Sequence, residues 1–310
     1  MFSFFKRPRN NVVAPQWASF FSDAEYRDFI KAIDKFFYKK NISYKIEDDA
    51  SIKVGPNDFG LNILGLTNVA QLCKQDERRN YYELISGHFD ALIRTYLFDK
   101  DFNAIVDDYE AVEKYLATRL YPLGYLEYGG EENKIYSMIA GEIAKVLVFD
   151  LPDAIQTITP EQAEKWNKTY DELFEKGVEN VRQKYPCSIS REKIGEFEVL
   201  LAQGDHFFAP NIVFDLEKQS LVGNWGAIIG VPHRHAAIIY PLETLAVVNA
   251  VTSIIPVVDN MSKQGPGGVS NNLIWYKDGV FEQLRYKMEN NNIEIYPSEK
   301  FLEVLNNMAE

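Results

Sequence analysis

The sequence predicts an α+β fold, with a helix-rich N-terminal half and a mixed or antiparallel sheet with packed helices in the C-terminal half. Three observations predict it. Apolar residues before residue 100 recur at three- and four-residue spacing, as on one face of a helix. After residue 140, short β-prone runs alternate with turn residues. Between them, over 128–133, lies a polar stretch with two adjacent glycines.

Taken in order, Ser22-Asp23-Ala24-Glu25 has the spacing of a capping box, in which the serine accepts from a backbone N–H three residues on and the glutamate reaches back. Tyr26, Phe29, Ile30, Ile33, Phe36 and Phe37 then form one apolar stripe, predicting a helix over 23–40. Alternating runs at 44–47 and 51–54 flank Asp48-Asp49 and predict a hairpin. Gly55-Pro56-Asn57-Asp58 breaks the chain. Helical spacing returns over 67–74, 79–97 and 107–120. The polar 128–133 stretch sets the expected boundary: a mobile tail over 1–15, a helix-rich domain with a small hairpin over 16–128, and an α+β domain over 134–310.

In the second half, 143–151 is an apolar run short enough to be a buried strand. Thr159 followed by Pro160 starts a helix, with a cap residue and proline at the first helical position. Thr169 and Glu172 make a second capping box, opening a helix toward Lys184. A strand is expected over 197–203. The runs 227–231 and 236–240 flank Pro232-His233-Arg234-His235 and predict a hairpin, apolar on both faces and therefore inside the sheet. The 242–258 stretch is expected as a helix buried all round; it is too short for the ~20 residues a bilayer span needs. A last hairpin turns at Lys277-Asp278-Gly279, and a short helix near 301–305 ends the chain.

Composition bounds the function. The chain has 310 residues, 46% of them hydrophobic, enough for a large core. Thirty-three basic residues against 45 acidic ones leave a net charge of −12, which repels nucleic acid and anionic membranes. No nucleic-acid partner and no stable membrane insertion are expected. The opening Met1-Phe2-Ser3-Phe4-Phe5-Lys6-Arg7 is too short in apolar residues for a signal peptide, and its charges follow rather than precede them. Two cysteines far apart, Cys73 and Cys187, form no Cys-x-x-Cys and fit a reducing, cytoplasmic compartment. Gly55 and Gly60 have phosphate-loop spacing, but Leu61 stands where that loop needs lysine. The 265–270 run, Gly-Pro-Gly-Gly-Val-Ser, opens like a dinucleotide fingerprint and ends in Ser270 instead of glycine.

The sharpest feature is His233-Arg234-His235. If strand alternation persists, the two imidazoles share a face, where a third ligand such as His206 would complete a metal site. No spacing marks that third ligand, so no metal and no cofactor are expected. The same residues suit an anion or a pH-sensitive contact, and the 265–270 loop lies within reach to offer backbone N–H groups. The candidate binding residues are His233, Arg234, His235, His206, Gly267, Gly268 and Ser270.

Several segments together carry a resemblance: Arg119-Leu120-Tyr121-Pro122, Gly204-Asp205-His206-Phe207-Phe208, Val231-Pro232-His233-Arg234-His235-Ala236, the 265–270 loop, and Trp275-Tyr276-Lys277-Asp278-Gly279. They resemble an uncharacterised family of bacterial cytosolic proteins, and the second half is similar to the YtpQ-type domain of unknown function. The resemblance implies bacterial origin and a shared α+β fold. It implies no activity, so no catalytic residue is carried over. The functional expectation is non-catalytic binding or regulation, neutralising or scaffolding a protein partner. The alternative is a metal- or anion-dependent enzyme centred on His233 and His235.

Overall fold

The computed structural model describes residues 13–289 and 292–309. Most of the expected 1–15 tail lies outside the described residues. Of the part inside, Ala14 donates its backbone N–H to the Asp23 carboxylate at 3.0 Å and packs on the core. Helices dominate the first half and antiparallel sheets the second. The chain divides into two compact units, Met1–Ile105 with Pro152–Ala154, and Val106–Leu151 with Ile155–Glu310.

In the first unit, α1 (Asp23–Lys39) begins with the expected capping box. The Lys74 ammonium, 2.8 Å away, together with Ser22 holds the Glu25 carboxyl down at about 2. The strands β1 (Tyr44–Ile46), β2 (Ser51–Val54) and β3 (Ile63–Gly65) form a small antiparallel sheet. Two more helices follow, α2 (Thr67–Lys74) and α3 (Tyr81–Asn103). The α1 stripe of Phe29, Ile33, Phe36 and Phe37 packs in one core with Ile85 and Phe89 of α3 and Ile52 of β2. Cys73 lies in that core, and burial pushes its thiol up to about 12.

The second unit opens with a departure from expectation. Where a helix was predicted over 107–120, only α4 (Tyr109–Val112) and a following 3-10 turn, Glu113–Tyr115, are helical. They give way to the strand β4 (Leu116–Pro122). The reason is tertiary pairing. Then come α5 (Gly124–Glu127), β5 (Tyr136–Ala140), β6 (Ile143–Leu151) and β7 (Ala154–Thr157). β4 pairs antiparallel with β6 along its whole length, from Leu116↔Phe149 to Pro122↔Ile143. That ladder outweighs the helical spacing of an apolar run whose propensities favour neither state strongly.

The same pairing places the 128–133 stretch inside the second unit. It is a compact turn there: Gly129 and Gly130 have φ of 76° and 88°, and the buried Lys134 ammonium donates to the carbonyls of Leu126, Tyr128 and Gly130 at 3.1, 2.6 and 2.6 Å.

Helix α7 (Tyr170–Lys184) starts at the predicted capping box, and α6 (Pro160–Glu164) at the predicted Thr159 cap, which also proves to be a capping box with Gln162. The remaining strands are β8 (Ser188–Ile194), β9 (Phe197–Gln203), β10 (Ala227–His233), β11 (Ala236–Pro241), β12 (Leu273–Lys277), β13 (Val280–Glu289) and β14 (Asn292–Tyr296). They form one antiparallel sheet in the order β14-β13-β12-β10-β11-β9-β8. The β12–β13 turn has Asp278 and Gly279 at φ of 48° and 81°, the geometry that suits two-residue hairpins.

The β10–β11 hairpin sits in the middle, buried on both faces. Ala227, Ile229 and Val231 meet a core with Ile212 and Leu216, whereas Ile228 and Ile238 meet α8 (Val247–Gln264) and α9 (Glu299–Asn307). A Cβ on Gly230 would stand 2.5 Å from Val258, so glycine here lets α8 close on the sheet. α8 itself corrects the expectation of burial all round. Its buried stripe is Val247, Ala250, Val251, Ile254, Ile255 and Val258, and Leu245 just before the helix and Val248 within it are exposed. Pro256 lies on the outer face, where the carbonyl that loses its N–H partner can bond water.

Truncating Ile228 or Ile238 to alanine should cost about 2–5 kcal/mol, since both are almost fully buried. Melting temperature should fall by about 2–4 °C for each kcal/mol. Unchanged melting in calorimetry would contradict double-sided burial.

Candidate functional site

Strand alternation ends at His233. The β10–β11 register slips between Gly230 and His233, and Arg234 and His235 form the turn. The His235 N–H donates to His233 Nδ1 at 3.2 Å, so the two rings are placed by the turn, with centroids 6.2 Å apart. The 265–270 loop folds onto this tip. Gly267 O accepts from Arg234 N–H at 3.1 Å, and His233 and Gly268 form a β-bridge. Val269 and Ser270 donate their N–H groups to Pro232 O and Val231 O at 2.9 and 3.0 Å. Those two amides are therefore spent on the hairpin, which corrects the expectation that Ser270 offers its amide to an anion. The Ser270 hydroxyl accepts from Asn272 N–H at 3.0 Å.

The 204–208 loop covers the other side. Gly204 N–H donates to His235 O, and His235 Nδ1 lies 3.2 Å from Gly204 O. The structure thus brings all seven predicted binding residues to one region. Glycines make the packing possible at three points. A Cβ on Gly265 would meet His233 Cδ2 at 2.1 Å, one on Gly267 would meet Arg234 Cδ at 2.8 Å, and one on Gly204 would meet His206 Nε2 at 2.4 Å.

The hydrogen bonds fix the protonation of the imidazoles. A carbonyl can only accept, so His235 Nδ1 carries the proton and its Nε2 lone pair accepts from Arg234 Nε–H at 3.1 Å. His206 Nδ1 accepts from Phe208 N–H at 3.2 Å, leaving Nε2–H to donate to Pro186 O at 3.3 Å. His233 Nδ1 is an acceptor, so its Nε2 bears hydrogen. All three rings are neutral, and every lone pair is engaged. Burial pushes the His233 ring below the ordinary histidine range, helped by His235 and Arg234; burial does the same to His206. Among the described residues, no group of three or more His, Cys, Asp or Glu side chains is placed to hold a metal ion.

Residues outside the predicted set complete the site. Arg234 lies over the Phe207 ring at 4.1 Å, and Arg119 of β4 lies over the same ring at 5.2 Å. Arg119 also lies over Tyr121 at 4.6 Å, and Tyr121 stacks on Tyr125 with centroids 3.8 Å apart. Guanidinium and aromatic groups thus alternate from Tyr121 to Arg234, with Tyr125 stacked on the first ring. Neither Arg119 nor Arg234 has a carboxylate within 4.0 Å among the described residues, whereas Arg182 is held by both oxygens of Asp215 at 2.8 and 2.5 Å. Burial lowers the Arg119 guanidinium from its usual range, and its buried Nε has no hydrogen-bond partner among the described residues. Phe207, the ring shared by the two guanidiniums, is 38% exposed. Arg119 and Tyr121 stand among the residues of the resemblance but not among the expected site residues, because a helix was expected up to residue 120; as a strand, the i, i+2 spacing puts both on one face.

No family model, curated protein or solved structure matches the chain.

Two outcomes follow from the engaged imidazoles. The unfolded rings titrate near 6.5, and the folded His206 and His233, like His88 in the first unit, titrate lower. Between those values the unfolded chain binds more protons, so stability is full above about pH 6.5 and declines as pH falls below it. Denaturant midpoints from pH 7.5 to 5 should show this slope, flattened in His206→Gln and His233→Gln; a flat wild-type profile would contradict it. Added zinc should not bind at the tip, and elemental analysis finding one transition metal per chain, lost in a His233→Ala, His235→Ala double variant, would overturn that.

Proposed function

We propose that the protein is a non-catalytic, cytoplasmic binding protein whose second unit takes an anionic group of a protein partner on the β10–β11 tip. One observation carries this reading: two guanidiniums share the Phe207 ring with no carboxylate beside them among the described residues, in a chain of net charge −12. An arginine left without a counter-charge and half buried costs desolvation free energy that an incoming anion offsets. Arginine and aromatic side chains are also the residues that concentrate binding energy at protein interfaces. The alternative is a metal- or anion-dependent enzyme centred on His233 and His235; the engagement of the imidazole lone pairs disfavours its metal-dependent form.

No helix among the described residues is long and apolar enough to cross a membrane. The dispersed cysteines support a reducing compartment.

Fluorescence anisotropy with three labelled peptides, one rich in Asp and Glu, one neutral and one rich in Lys, tests the proposal on the full chain. The acidic peptide should bind, more weakly as salt rises. Arg234→Gln should weaken it by about tenfold or more, as for a lost charge-assisted hydrogen bond. Preferential binding of the Lys-rich peptide, or an acidic peptide indifferent to Arg234→Gln, would contradict the reading.

A further inference from the structure

We infer that the group recognised at the tip is a phosphate monoester dianion. The inference rests on the anion-binding reading above and narrows it. Charge is the first argument. Arg119 and Arg234 place two positive charges on one ring, and the carboxylate of a single Asp or Glu would compensate only one of them. A phosphate monoester carries close to two negative charges at neutral pH and offers three acceptor oxygens. Asp205, exposed on the same loop as Phe207, makes no ion pair with either guanidinium among the described residues, so it does not supply the missing charge.

Donor geometry is the second argument. Arg234 Nε is committed to His235. The terminal nitrogens remain as a parallel pair, the arrangement that matches two oxygens of a phosphate. His233 adds a neutral donor at the same tip, because its Nδ1 is an acceptor and its Nε2 therefore carries hydrogen. The tip is thus rich in donors, and its imidazole lone pairs are already spent. A phosphate, which only accepts at its charged oxygens, suits such a surface.

Positioning is the third. Gly265 and Gly267 leave room for the His233 ring and the Arg234 stem, and Gly267 at φ of 68° lies where an L side chain is strained. The donors are held by backbone packing and not by an acidic neighbour, which would compete with the ligand.

The phosphate has two possible sources, a phosphorylated side chain of a partner or a small phosphate ester. Calorimetric titration of the full chain at pH 7.5 with inorganic phosphate, acetate, a phosphoserine peptide and glucose 6-phosphate separates them. Inorganic phosphate should bind about tenfold or more tightly than acetate, and Arg234→Gln should abolish that preference. Because Arg119→Gln could disturb the β4 core, Arg234→Lys is the second variant: it keeps the charge, loses the paired donors and should retain only part of the affinity. A phosphopeptide tighter than glucose 6-phosphate assigns the source to a partner protein; the reverse order assigns it to a small ester and overturns the protein-partner reading, while either order supports the phosphate assignment. Acetate or an acidic peptide binding as tightly as phosphate, and depending on Arg234, would overturn the phosphate assignment while leaving anion binding intact. No Arg234-dependent binding of any of these probes would overturn both.

Discussion

Ala227, Ile228, Ile229 and Val231 of β10 are all buried, alternately against the two cores that flank the seven-stranded sheet. A strand with both faces covered cannot shift register by one residue without exchanging its two side-chain sets. The hairpin tip is therefore fixed by packing well away from it. Gly230 adds to this by letting α8 approach, and the C-terminal end of α8 leads directly into the 265–270 loop that clasps His233 and Arg234. The site depends on a chain of close approaches, each with a glycine where a side chain would intrude.

The guanidinium–aromatic row is the electrostatic counterpart. The chain is strongly acidic overall, yet among the described residues Arg119 and Arg234 stand without carboxylates. Their stabilisation in the free protein comes from ring faces, which desolvated cations find attractive, and from neutral His235 accepting from Arg234. Neither source removes the charge. The field at the tip remains available to an anion, while the surrounding negative surface repels extended polyanions.

Much of the fold was legible in the sequence. The capping boxes at Ser22, Thr159 and Thr169 start helices where their side-chain chemistry requires, and Lys277-Asp278-Gly279 turns a hairpin because its last two residues tolerate positive φ. The central hairpin was legible from two β-prone apolar runs. What escaped was decided by distant partners. β4 reads as a helix until β6 pairs with it; β8, almost wholly exposed, has no apolar pattern and is held by β9. The site was half legible for the same reason. His233, Arg234, His235 and the glycine loop stand out locally, but Arg119 and Phe207 join them only through tertiary structure. Sequence could suggest shared-face histidines for a metal; only the turn geometry reveals that their lone pairs are occupied.

The most direct test of the central claim is side-chain NMR of the arginine Nε–H groups in the full chain during titration with the anionic probe. The account predicts saturable shifts at Arg234 and Arg119, with Arg182 unmoved because Asp215 already holds it. Uniform small shifts across all arginines, or shifts elsewhere with Arg234 and Arg119 still, would contradict it.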